Sequence, residues 1–203
     1  MVRLWIFGAC GILSGLLITI AYLIGAILQP GYSSIRQAIS ELIAVGAPDK
    51  ALLDVLILGF HALVIPFAYG LYLGVEKRKG AGIGPYLLAA AGVMGIILTL
   101  FFPCDPGCVP TTLPGTLHIF IAVPMGFLIL FAILAFSFRF RERPTWAWYS
   151  TYSLATFITG IILAVITVVL AESSLVGLLE RLLTAAYQQW YILLGIALIR
   201  RSG

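Results

Sequence analysis

Six long apolar runs restrict this chain to very few folds. They extend from Leu4 to Leu28, Ala51 to Val75, Ile83 to Phe102, Leu113 to Phe138, Trp146 to Leu170 and Leu182 to Ile199. A hydrocarbon core about 30 Å thick takes about 20 apolar residues in a helix, and each run meets that length to within a few residues at its ends. Inside a bilayer, backbone N–H and C=O groups must pair within the protein, which leaves helices or closed barrels. A barrel strand alternates apolar and polar residues, whereas these runs are apolar all round. The expected fold is therefore all-α: a polytopic integral membrane helical bundle of six transmembrane helices, forming one domain over residues 1–203.

Composition closes off the alternatives. The chain is 62% hydrophobic and only 10% charged, against about 25% charged residues in an ordinary soluble domain. Soluble enzymes, disordered regulators and nucleic-acid binders are excluded together. The net charge of +4 sits in short clusters between the apolar runs, where it reports topology and not a polyanionic ligand.

Those clusters set an expected orientation. If six helices alternate, Arg3, Lys77-Arg78-Lys79, Arg139, Arg141, Arg143 and Arg200-Arg201 all fall on one side, nine of the 12 Lys and Arg residues, leaving Arg36, Lys50 and Arg181 opposite. The positive-inside rule makes the first side the cytoplasm, with both termini there. The first run is too long for a signal peptide and lacks a cleavage site before Gln29-Pro30-Gly31, so it is expected to remain as a helix.

Between the first two runs lies the longest outer loop. Ser34 and Gln37 have capping-box spacing, Ile35, Ile39, Leu42 and Ile43 form an apolar face, and Gly46 and Pro48 end the pattern. A short amphipathic helix at the outer mouth of the bundle is expected. Small-residue spacings, Gly11 with Gly15, Gly70 with Gly74 and Ala91 with Gly95, point to close helix packing.

Polar groups inside a span are costly unless paired or wet, which makes them default site candidates. His61 lies mid-way along the second run, with Asp54 on the same face about 10.5 Å nearer the outer surface at 1.5 Å per residue. His118 is about one turn into the fourth run. Gln188 and its neighbours Tyr187 and Gln189 lie in the outer half of the sixth, below Arg181. Each has a plainer reading as a cap or an interhelical hydrogen-bonding residue, but their concentration in the outer half points to an outward-opening polar pocket.

The sharpest local feature is Phe102-Pro103-Cys104-Asp105-Pro106-Gly107-Cys108. Asp-Pro-Gly favours a tight turn that brings Cys104 and Cys108 to disulfide distance and fixes Asp105 at the mouth. Zinc thiolates are disfavoured by the spacing and by the absence of a second cysteine pair. His-Glu-x-x-His, Gly-x-Ser-x-Gly and P-loop motifs are absent. A zinc site could still form from His61, His118 and Asp105 or Asp54, a charge network from Ser40, histidine and aspartate, or a bis-histidine haem from His61 and His118.

Arg36-Gln37-Ala38-Ile39-Ser40-Glu41-Leu42, the Phe102 to Cys108 loop followed by His118, and Gly177-Leu178-Leu179-Glu180-Arg181-Leu182 together resemble the bacterial and archaeal membrane family called domain of unknown function nine-nine-eight. The likeness covers nearly the whole chain and implies a compact multi-helix membrane protein, with Arg36, Ser40, Asp105, His118 and Arg181 as matched positions. A Ser, Asp and His set at a membrane surface also resembles alkaline ceramidases and adiponectin-receptor-like hydrolases, which use three metal histidines where this chain has two.

The functional expectation is an outward-facing pocket for a lipid head group or small amphiphile. Arg36 and Arg181 would clamp an anionic group, Asp105 and Glu41 would orient them, and His61 and His118 would supply hydrogen bonds deeper in, with Asp54 and Gln188 as further ligand-binding candidates. The alternatives are a metal-dependent membrane lipid hydrolase using zinc on His118, Asp105 and His61, and a proton-coupled small-solute transporter using Asp54 and His61. Membrane lipids are the expected partners, nucleic acid is not, and a homo-oligomer stays open.

Overall fold

The computed structural model describes residues 3–75 and 82–201; the Lys77-Arg78-Lys79 cluster lies outside them. Six helices follow in order: α1 (Leu4–Leu28), α2 (Lys50–Gly74), α3 (Ile83–Phe101), α4 (Leu113–Arg141), α5 (Ala147–Val169) and α6 (Val176–Arg200). All six are long and apolar enough to cross a membrane, and there is no strand among the described residues. Two helices outrun their apolar stretches. α4 continues to Arg141, and α6 begins at Val176, which puts Glu180 and Arg181 inside a helix.

Each helix packs against its neighbours in sequence, and α6 returns to α1 to close the ring. Glycine makes the closing contact possible: a Cβ at Gly8 would stand 2.5 Å from the Gly195 carbonyl oxygen, so only a bare backbone fits there. The same contact places the start of α1 beside the end of α6, so both termini share one end of the bundle. Phe67, Phe136, Trp190 and Tyr191 fill the centre, and Trp190 Nε1 donates to Ser153 Oγ at 2.8 Å. Large apolar side chains such as Ile27, Phe120 and Val169 point outwards, an arrangement that suits lipid and not water.

Arg139 is buried at the terminal end of the bundle. Its guanidinium donates to the Tyr72 and Val75 carbonyls at the end of α2, where unpaired carbonyls and the helix dipole both favour a cation.

At the opposite end, residues 29–49 form a strap across the helices. In place of the helix expected from Ser34, this segment has turns followed by a single short 3-10 helix, Ile39–Ile43. The reason lies in its carbonyls. Those of Ser34 and Gln37 accept from Arg181, and those of Gln37 and Ala38 accept from the Tyr32 hydroxyl, so side-chain donors take acceptors that a regular helix would use internally. The cap also differs from the expected one: Gln37 Oε1 accepts from Ser33 N at 2.8 Å, and Glu41 Oε1 accepts from Ala38 N at 2.9 Å.

Candidate functional site

Beneath the strap lies a cavity of about 190 Å³, walled by α1, α2, α3, α4 and α6 and covered by Ile39, Ser40 and Ile43. At about 30 Å³ per water, that space matches about six water molecules. Most of its wall is apolar, including Ile18, Ile57, Leu98, Met125 and Ile129. Its polar members are Ser40, His61, Thr99, His118, Glu180, Thr184 and Tyr187.

Each polar member is set by local geometry. His118 Nδ1 stands 2.7 Å from the Phe102 carbonyl oxygen. A carbonyl can only accept, so in the neutral ring Nδ1 carries the hydrogen and Nε2 keeps a lone pair. His61 packs its ring on Phe60 and occupies the space over Gly95, where a Cβ would come within 2.0 Å of Nδ1. It makes no hydrogen bond among the described residues. Thr99 Oγ1 donates to Gly95 O at 2.8 Å, and Tyr187 Oη donates to Thr184 Oγ1 at 3.2 Å.

Glu180 and Arg181 are adjacent in α6 but face different tasks. Glu180 Oε2 accepts from the Ile39 amide at 2.5 Å, and the residue lines the cavity. Arg181 turns to the strap, with Nη1 donating to the carbonyls of Ser34 (2.9 Å), Gln37 (3.1 Å) and Gly177 (2.9 Å), and Nη2 donating to Tyr32 Oη (2.7 Å). The guanidinium also lies over the rings of Tyr22 and Tyr32. Burial pushes the Tyr32 hydroxyl above its usual 10.0, with Arg181 pulling the other way. The strap reaches α6 by a further backbone bond, Leu178 N to Ile35 O at 3.0 Å.

The loop after α3 secures the other side of the strap. Cys104 and Cys108 form a disulfide with Cα atoms 5.1 Å apart. Ser40 Oγ stands 3.2 Å from Cys108 Sγ, and because a disulfide sulfur has no hydrogen, the hydroxyl is the donor. Val45 N donates to Cys104 O at 2.9 Å. Asp105 is closed off from water by its own loop, with little other protein around it. Its carboxylate accepts from Thr111 N (2.7 Å), Thr111 Oγ1 (3.1 Å), Thr112 N (2.8 Å) and Thr112 Oγ1 (2.8 Å). The Thr111 amide and the hydroxyl and amide of Thr112 hold its pKa down at about 2, against an ordinary 3.8.

The sequence candidates thus separate. His61, His118 and Ser40 come together at the cavity. Arg36 is exposed and Arg181 is turned to the strap, so neither lines the cavity and the expected anion clamp is not assembled there. Asp105 is directed at its threonines, and Glu41 accepts from Ala38 and Gln37 within the strap. Asp54 pairs with Lys50 at 2.6 Å, while its buried Oδ1 has no partner among the described residues. Gln188 Oε1 accepts from Thr19 Oγ1 at 3.1 Å between α1 and α6, outside the cavity wall. Among the described residues neither histidine nor aspartate bonds to Ser40, so no serine, histidine and aspartate relay forms there. Among the described residues no group of three or more His, Cys, Asp or Glu side chains is placed to hold a metal ion.

Sequence reasoning missed Glu180 because the apolar run starts only at Leu182, and missed Thr184 because a single hydroxyl inside that run does not stand out. The signal was there: Glu180, Thr184 and Tyr187 recur at i, i+4 and i+7, one face of a helix that starts earlier than hydropathy alone indicates.

A family profile described as "Protein of unknown function (DUF998)" matches residues 12–197. The chain belongs to that family. No curated protein and no solved structure matches it.

Proposed function

We propose that this multi-pass membrane protein binds the polar end of a lipid or other small amphiphile in the cavity beneath the strap. The observation that carries the reading is the cavity itself: a space of about 190 Å³ inside a membrane bundle, apolar on most of its wall, with two histidines, a glutamate and hydroxyl side chains lining it. Such a wall suits a molecule that is apolar over most of its surface and polar at one end. The charge distribution supports an outward-facing strap, since among the described residues Arg3, Arg139, Arg141, Arg143, Arg200 and Arg201 lie on the side of the termini, against Arg36, Lys50 and Arg181 on the side of the strap.

Gly126 offers a test that spares the fold. It lines the cavity, and a Cβ there meets nothing within 4 Å. Gly126→Leu therefore fills the space while improving helix propensity. Mass spectrometry of lipids and small amphiphiles retained after detergent purification should find a bound species in the wild type that is lost in Gly126→Leu. Equal retention in both would overturn the reading.

A further inference from the structure

Four of the polar groups around the cavity turn their hydrogens away from it. Ser40 directs its hydroxyl hydrogen at Cys108 Sγ, Thr99 at the Gly95 carbonyl, Tyr187 at Thr184 Oγ1, and neutral His118 directs its Nδ1 hydrogen at the Phe102 carbonyl. Each of these groups has placed a hydrogen on a protein acceptor and is left with lone pairs. Glu180 adds a carboxylate: Oε2 takes the Ile39 amide, and Oε1 makes no hydrogen bond among the described residues. No lysine or arginine lines the cavity, and Glu180 forms no ion pair among the described residues.

A wall rich in acceptors and carrying a carboxylate offers a guest that only accepts, such as a phosphate or a carboxylate, no more than the Thr184 hydroxyl and one N–H of His61, and the carboxylate repels its charge. A guest with several N–H donors and a positive charge matches it. We infer that the cavity is specific for a protonated amine, the ammonium end of a small amphiphile, with Glu180 as its counter-ion and the ring of Tyr187 on the same wall offering a face to the cation. This rests on the cavity being a binding site at all, and it inverts the anion clamp expected from Arg36 and Arg181.

Three water-soluble probes of one chain length separate the two ideas: n-hexylammonium, 1-hexanol and hexanoate. Their binding is measured by equilibrium dialysis against the full-length protein in phosphatidylcholine nanodiscs, with empty discs as the blank. The wild type should bind hexylammonium at least ten-fold more tightly than hexanol and should not bind hexanoate. Glu180→Gln keeps an oxygen for the Ile39 amide, so the strap stays in place. The preference for the amine should fall to parity with hexanol in that variant, while Gly126→Leu should bind neither. Hexanol or hexanoate matching hexylammonium in the wild type, with all binding lost in Gly126→Leu, would overturn the amine specificity and leave the cavity reading standing. Hexylammonium binding that survives unchanged in Gly126→Leu would overturn both.

Discussion

Replacing Arg181 with methionine keeps much of the stem and removes the guanidinium that holds the strap. Of its four hydrogen bonds, the one to Gly177 lies within α6, so three tertiary bonds disappear, to Ser34 O, Gln37 O and Tyr32 Oη. Hydrogen bonds to charged groups contribute about 1.5–3 kcal/mol each. Arg181 is half-buried, so water replaces part of what is lost, and a net cost of about 3 kcal/mol for opening the strap is the working figure. At about 1.4 kcal/mol per factor of ten, the open population should rise about 100-fold. Hydrogen exchange in nanodiscs reads this at two amides that join strap and helix, Ile39 N bonded to Glu180 and Leu178 N bonded to Ile35 O. Both should exchange about 100-fold faster in Arg181→Met, while amides at the centre of α6 keep their wild-type rates. Arg36→Met is the control, because that side chain is exposed and makes no hydrogen bond among the described residues. Unchanged exchange in Arg181→Met, or an equal acceleration in Arg36→Met, would refute the clamp.

Three further outcomes follow from the packing and the loop. Asp105 has a folded pKa of about 2, below the ordinary 3.8, so its contribution to stability is present above about pH 4 and is lost as pH falls towards 2; the protection of the Thr111 and Thr112 amides, taken relative to the intrinsic exchange rate at each pH, should hold at pH 4 and fall only as pH nears 2, and loss of protection already at pH 5 would contradict the hydrogen bonding described. Alkylation of the denatured, unreduced protein should label Cys10 alone, with Cys104 and Cys108 labelled only after reduction. Gly8→Leu forces a side chain into the Gly195 carbonyl and should lower stability by about 1–3 kcal/mol, read as a fall in the detergent melting temperature, while Leu13→Ala on the exposed face of α1 should change it little.

Much of the fold was legible because hydropathy over a span is a sum of many residues pointing one way. α1 has the bounds expected for it, and all six helices are present. Short segments lack that redundancy. The strap has the spacing of a helix from Ser34, but Arg181, far along the chain, and Tyr32 within the strap claim its carbonyls, and local pattern carries no record of the arginine. The same long-range effect separated Arg36 from Arg181: the two are alike in sequence terms, yet one faces out and the other is enclosed by three carbonyls and two rings. His61 and His118 were identifiable because an imidazole within an apolar run stands out. Glu180 was not, since it precedes the apolar run.

The imidazole of His61 rests where Gly95 has no side chain, on a different helix. In evolutionary terms the two positions form one character. A side chain at position 95 excludes an imidazole at position 61, and once the imidazole is lost the ban on a larger residue at 95 is lifted. Across related chains, histidine at the first position should therefore travel with glycine at the second, and the two should be lost together.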